Sequence, residues 1–284
     1  MILDFALNHI CPAVRQIALK YFRQNLFNDT HFTSLKQDGT IVTIADREIE
    51  EEVSKLIKLH FADDLILGEE QGLQSGRNAK TPQDAKYLWL IDPIDGTVSF
   101  KTGRATFCFL LGVFDEKGQV FSLCYQPITD EIFYSAKQDT FLLSNQNGNL
   151  QQLQSNAFCK TFKQATIATC SPSYFRHSLQ QKLFNSLQSS CGASIYGGDA
   201  YLYCQLAMGG IDIVMDCQLA VYDIAPMLGI IQNSGNVVKS LDGNDLLFNK
   251  DNIQDYFNNS KKFNIIACNK NLHTEVNLAA QNIN

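Results

Sequence analysis

The sequence predicts an α/β protein in which helices are layered on sheet. Three observations predict it. The chain has 284 residues, long for one compact core, so two subdomains or one large layered unit are expected. Its first half carries three consecutive strand-like runs separated by short turns. Its second half alternates short apolar runs with stretches of helical spacing, the pattern of helices packed on a sheet.

In chain order, the spacing of apolar residues from Phe5 to Phe27 predicts a first helix, and Gln37 to Gly39 a turn. Thr43 to Phe61 reads as a second helix. Its face of Glu48, Glu50, Glu51, Glu52 and Lys55 is expected in solvent, with i,i+4 pairs such as Glu51–Lys55. Asp64 to Leu67 is a short strand ending in Gly68-Glu69-Glu70, and polar Gln71 to Lys86 is expected as a surface loop. Leu88 to Ile91 reads as a buried strand. Pro93 cannot donate to a ladder and pushes Asp92 towards extended geometry, so the strand is expected to end there. Asp95-Gly96-Thr97 then reads as a tight turn opening a short helix. Phe107 to Phe114, Gln119 to Tyr125 and Glu131 to Ser135 predict an antiparallel meander.

The Gln/Asn-rich piece Ser144 to Asn156 is a poor core former and reads as hairpin plus linker. A subdomain boundary there divides the chain into 1–150 and 151–284. Beyond it, strands are expected at Ala165 to Ala168, Ser194 to Tyr196, Ile211 to Met215, Val237 to Val238 and Asn264 to Ala267. Helices are expected at His177 to Leu187, Asp199 to Met208, Val221 to Asn233 and Asn271 to Gln281.

Composition narrows the function classes. Hydrophobic content is 45% and charged content 18%, with a formal net charge of −6, so the chain has ample core material. No Lys/Arg-rich run exists, which argues against nucleic acid as a partner. The start lacks a basic n-region, and the longest apolar stretch, Ala105 to Phe114, is too short to cross a bilayer. Nine scattered cysteines without a Cys-x-x-Cys pair read as reduced residues of a cytoplasmic protein. The five histidines lie far apart, so zinc hydrolysis is not expected.

The chemistry concentrates in Trp89-Leu90-Ile91-Asp92-Pro93-Ile94-Asp95-Gly96-Thr97. Two carboxylates at a strand end, beside free N–H groups at a helix start, suit a divalent cation next to a phosphate. Asp46, Glu69-Glu70 and Asp223 also stand where the chain changes direction. Carboxylates brought together repel unless a cation intervenes, and oxygen-only ligation points to Mg²⁺. Each outlying acid has a plainer reading: Asp46 as an N3 acid capping with Thr43, Glu69-Glu70 as a solvated turn, Asp223 as a helix-dipole acid. The Asp92 to Thr97 run has no comparable structural excuse. An EF-hand loop, a P-loop and a Gly-x-Ser-x-Gly elbow are absent. The spacing of three between Asp92 and Asp95 also disfavours a covalent aspartyl-phosphate mechanism.

Gly68-Glu69-Glu70, the Trp89 to Thr97 run, and Tyr222-Asp223 followed by Gly235 resemble the inositol monophosphatase superfamily in order and spacing over nearly the whole chain. The chain departs from the family's usual pattern at Tyr222, where Trp is common, and at Gly235-Asn236, where Gly-Gly is common. The resemblance implies a layered α-β-α-β-α sandwich, a homodimer, and lithium-sensitive hydrolysis of phosphate monoesters with two or three Mg²⁺. It implies that Glu69, Asp92 and the Ile94 carbonyl hold one ion, and Asp92, Asp95 and Asp223 a second. A third would sit near Glu69, with Asp46 reaching it through water. Gly96 and Thr97 would offer N–H groups to the phosphate. Thr97 and Asp46 would orient or deprotonate the attacking water, with Glu69 beside it, and no phospho-enzyme would form.

Within the superfamily, Asp95 to Gly103, Gln126-Pro127 with Glu131, Ser171-Pro172 and Tyr196-Gly197-Gly198-Asp199 resemble the bacterial histidinol-phosphatase branch. Asp199 has two readings: an N-cap, or a carboxylate at the leaving-group pocket together with Gly198. Asp216 stands where the family often has a substrate-facing acid. An acidic pocket suits a leaving group with an ammonium and an imidazole, so L-histidinol phosphate is the expected substrate. Inositol 1-phosphate and adenosine 3′,5′-bisphosphate are the alternatives. A metal-dependent anion-binding regulatory module is the alternative outside enzymes.

Overall fold

The structure is a computed structural model, and it describes residues 1–27, 33–35, 41–156 and 158–281. The turn expected at Gln37 to Gly39 lies outside the described residues.

Helix α1 (Ile2–Phe5) passes through a π turn at Ala6–Ile10 into α2 (Cys11–Tyr21), and α3 (Gln24–Phe27) follows. The single helix expected here is interrupted twice. Pro12, in the first turn of α2, lacks an N–H, and the wider π turn precedes it. Arg23 then takes φ +66°, which ends the helical path. Strands β1 (Thr33–Leu35) and β2 (Ile41–Thr43) pair, and α4 (Ile44–His60) starts on an N-cap at Thr43. Next come β3 (Leu65–Gly68), β4 (Gly72–Gln74), β5 (Leu88–Asp95), α5 (Thr97–Lys101), β6 (Cys108–Phe114), β7 (Gln119–Gln126), β8 (Glu131–Ala136), β9 (Asp139–Ser144) and β10 (Asn149–Leu153). The second half contributes β11 (Thr166–Thr169), α6 (Ser178–Ser190), β12 (Ala193–Tyr196), α7 (Tyr201–Ala207), β13 (Ile213–Leu219), α8 (Val221–Ile224), α9 (Leu228–Asn233), β14 (Asn236–Ser240), α10 (Lys250–Asn258), β15 (Phe263–Asn269) and α11 (His273–Gln281).

The larger sheet runs β10-β9-β8-β7-β6-β5-β3-β4 and the smaller β12-β11-β13-β15-β14. The expected meander is β6-β7-β8, antiparallel throughout. The inner strands of both sheets are covered on both faces, and strand alternation decides which residue meets which layer. Trp89 and Ile91 of β5 face a core with α1, α2 and α4. Leu88 and Leu90 of the same strand face a middle core with α7, α8, α9 and α10, which also receives Ala168, Val214 and Ala267 of the smaller sheet. Ile167, Ile213 and Ile266 face the outer helices α6 and α11. Two sheets and three helical layers give the α-β-α-β-α sandwich, and the middle core is built from residues on both sides of position 150.

Several local expectations are corrected. Strand β5 does not end at Pro93. It continues to Asp95, and an irregularity in the pairing with β6 between Asp92 and Asp95 absorbs the proline that cannot donate. The Gln71 to Lys86 segment is not all loop, because β4 folds back on β3. Helix 221–233 is split by a 3₁₀ turn, Ala225–Met227, where Pro226 removes a donor. Helix α10 lies where no helix was expected. On α4, Glu50 is not in solvent but fully buried, and Lys55 pairs with Glu52 rather than Glu51. Seven of the nine free cysteines are buried and two are half-buried. No helix among the described residues is long and apolar enough to cross a membrane.

Candidate active site

The site forms where β3, β5, α4 and α8 end or begin. At the end of β5, one oxygen of Asp92 accepts the Ile94 N–H at 3.1 Å, which folds the bulge back on its own carboxylate. Asp95 accepts the Ala200 N–H, which ties the larger sheet to the loop before α7. Gly96 follows with φ +86°, and a Cβ there would also strike the Asp199 carboxylate, so glycine is required twice over. Helix α5 begins at Thr97, whose hydroxyl donates to the Ile94 carbonyl at 3.3 Å.

Asp46 and Asp223 occupy the same position, N3, of α4 and α8. Asp46 Oδ2 accepts the Thr43 N–H at 2.8 Å, and Asp223 Oδ2 accepts the Ala220 N–H at 2.7 Å. The capping reading of Asp46 is therefore correct, and Asp223, expected as a helix-dipole acid, caps α8 in the same way; each uses one oxygen. Asp46 Oδ1 is buried without a hydrogen-bond partner. Oxygens of Asp92, Asp95 and Asp223 lie within 4.8 Å of one another. Glu69 bears directly on Asp92 and Asp223, because its charge raises both pKa values.

Burial is the main force on this cluster. It pushes Asp46 and Asp223 up to about 7, with Glu69 adding repulsion in each case. Asp92 and Asp95 are raised well above the ordinary carboxylate range by burial and then by neighbouring acids. Such a group cannot be fully ionised together without a counter-charge. An oxygen-only donor set, an orphaned buried carboxylate oxygen and mutual repulsion fit a hard divalent cation.

A cavity of about 390 Å³ opens over the cluster, lined by Glu69, Asp95, Gly96, Thr97, Asp199, Asp216 and Asp223 among others. Asp199 is not the N-cap of α7, which starts at Tyr201. Its backbone has φ +50°, and its carboxylate accepts from Ser99 Oγ at 2.7 Å and Cys170 Sγ at 3.0 Å. Asp216 lines the cavity, but it is buried and its oxygens accept from Thr169 Oγ1, the Cys170 N–H and Tyr203 Oη at 2.7–2.9 Å. Gly198 is buried behind the wall, does not line the cavity, and has φ +135°.

Residues not singled out in the sequence also matter. Ser99, Cys170 and Tyr203 hold Asp199 and Asp216, and Lys262 is the one lysine or arginine among the described lining residues. Nothing in the sequence near Lys262 signals this. Glu50 could have been found, because it stands one helical turn after Asp46 on the same face of α4.

A layered α/β chain with this acidic pocket is a phosphoric monoester hydrolase of the metal-dependent class. The chain belongs to the inositol monophosphatase family, whose model matches residues 3–284. It is 28% identical over 241 residues to the bifunctional phosphatase IMPL2, chloroplastic, of Arabidopsis thaliana, covering 85% of this chain and 65% of that protein. It is 25% identical over 208 residues to a histidinol-phosphatase of Mycobacterium tuberculosis, covering 73% and 77%. An inositol monophosphatase from Zymomonas mobilis superposes with a TM-score of 0.73 at 25% identity, covering 99% and 97%.

Proposed function

We propose that this chain is a Mg²⁺-dependent histidinol-phosphatase, converting L-histidinol phosphate to L-histidinol and phosphate. The observation that carries the substrate is Asp199, a carboxylate on the cavity wall beside the Gly96 turn, oriented by Ser99 and Cys170. Five carboxylates and one lysine line the cavity. A leaving group with an ammonium and an imidazole finds counter-charge there, whereas a neutral polyol finds only hydrogen bonds. The similarity to the Mycobacterium histidinol-phosphatase supports this reading. The similarity to the Zymomonas enzyme supports inositol 1-phosphate as the second. A bisphosphorylated adenosine would bring a second phosphate to a lining with a single lysine.

Glu69, Asp92 and the Ile94 carbonyl would hold one Mg²⁺, and Asp92, Asp95 and Asp223 a second. A third would lie near Glu69 and reach Asp46 through water. Bound there, the ions supply Lewis-acid activation of water and neutralise charge developing on the phosphate and leaving oxygen. The chain's own groups do the rest. The N–H groups of Gly96 and Thr97, at the start of α5, hold phosphate oxygens. The Thr97 hydroxyl would orient the attacking water, and Asp46 Oδ1, buried without a hydrogen-bond partner, would accept its proton. Asp199 orients the leaving group, and Asp216 braces the wall through Cys170 and Tyr203. The exposed edge strand β12, with Ile195 and Tyr196, supports a homodimer, and the free cysteines support a reducing, cytoplasmic setting.

The test is Mg²⁺-dependent phosphate release from histidinol phosphate, inositol 1-phosphate, fructose 1,6-bisphosphate and adenosine 3′,5′-bisphosphate. Histidinol phosphate should have the highest kcat/KM, and lithium should inhibit. Cleavage of inositol 1-phosphate with histidinol phosphate ignored would sink the assignment. Asp199→Asn should raise KM for histidinol phosphate and leave inositol 1-phosphate nearly unchanged.

A further inference from the structure

We infer that Glu50 is a positioning residue: its buried carboxylate clamps the turn after β3 and so aims Glu69 at Asp92. The inference rests on the metal-dependent reading above. Glu50 is fully buried on α4, one turn beyond Asp46. Its Oε2 accepts the Glu70 N–H at 2.8 Å, and its Oε1 accepts the Gln71 N–H at 2.7 Å. Both oxygens are therefore spent on successive backbone amides, and no ion pair among the described residues reaches it. Burying a carboxylate without a counter-ion is expensive, so the arrangement needs a compensating return.

The place of the clamp supplies that return. β3 pairs with β5 up to Gly68 opposite Ile91, and the Glu69 N–H donates to the Ile91 carbonyl at 3.1 Å. The ladder stops there. Glu50 takes hold at the next two amides, so the backbone on both sides of Glu69 is fixed. Gly68 belongs to the same device, because a Cβ at that position would strike the Glu50 carboxylate. A group that orients a ligand without touching the ion commonly changes metal affinity by about 10–100-fold when removed.

The experiment measures Mg²⁺ binding by titration calorimetry on the full chain without substrate. Glu50→Gln keeps the shape but sets an amide NH₂ against one of the two N–H donors. Its Mg²⁺ Kd should rise about 10–100-fold, with kcat recovering when Mg²⁺ is raised and circular dichroism unchanged. Glu50→Asp should fall between the two. An unchanged Mg²⁺ Kd in folded Glu50→Gln overturns the inference. Should that variant not fold, hydrogen exchange in the unaltered protein decides: protected Glu70 and Gln71 amides support the clamp, and amides exchanging like open loop overturn it. A chain that binds Mg²⁺ yet hydrolyses no ester overturns the hydrolase reading alone, and one that binds no Mg²⁺ overturns both.

Discussion

At the residue scale, four carboxylates of the site divide their labour. Asp46, Asp92, Asp95 and Asp223 each give one oxygen to a nearby backbone N–H. That bond fixes the rotamer, and the second oxygen is oriented before any ligand arrives. Structural and functional readings of these acids are thus two halves of one side chain. Asp95→Asn should lower kcat by about 10³-fold at saturating Mg²⁺, since losing a ligand forfeits several kcal/mol of charge stabilisation. Circular dichroism should show the fold intact, and activity near the original would refute the metal assignment. Gly96→Ala should cost about 1–2 kcal/mol in urea unfolding, because φ +86° is left-handed backbone. The same variant should raise KM, because the new methyl displaces Asp199.

At the element scale, helix starts set the site. Thr43 caps α4 and also bonds Asp46, so Thr43→Ala should lose about 1 kcal/mol of stability. It should also shift the pH profile of kcat upward, because Asp46 loses the Thr43 hydroxyl bond that lowers its pKa and keeps only the backbone N–H. A stability loss with an unmoved pH profile would separate Asp46 from the chemistry. The Thr43–Asp46 box and the β5 strand were legible because both signals are local. The β5 bulge, the β4 hairpin and α10 were not. A bulge is decided by pairing with β6, and α10 carries its apolar residues in a polar, Asn-rich segment.

At the scale of the molecule, the middle layer holds the halves of the site in register, since β5 and β13 both pack on it. Leu90→Ala should cost about 2–5 kcal/mol and lower activity in proportion, measured by urea unfolding and phosphate release. The buried acids also make stability depend on protons and cation together. Asp46, Asp223 and Glu50 are raised to about 7 from 3.8, 3.8 and 4.5. Their raised folded pKa values stabilise the metal-free chain below about 4, and that contribution is lost as pH rises towards about 7. A divalent cation bound at Asp223 and its neighbours would replace the protons there, so the effect of added Mg²⁺ on Tm should grow from pH 5 to pH 8. A Tm increment that stayed flat or shrank over that range would count against a cation among these carboxylates.

The sequence by itself determined the layered α/β class, the turn at Gly96 that opens a short helix, and the family, because these rest on local patterning and short motifs. Only the tertiary structure decided that Glu50 holds the amides of Glu70 and Gln71, that Asp199 bonds Ser99 and Cys170, and that Lys262 reaches the cavity. Those facts depend on which distant segments the layers bring together, and spacing along the chain carries no record of distance across it.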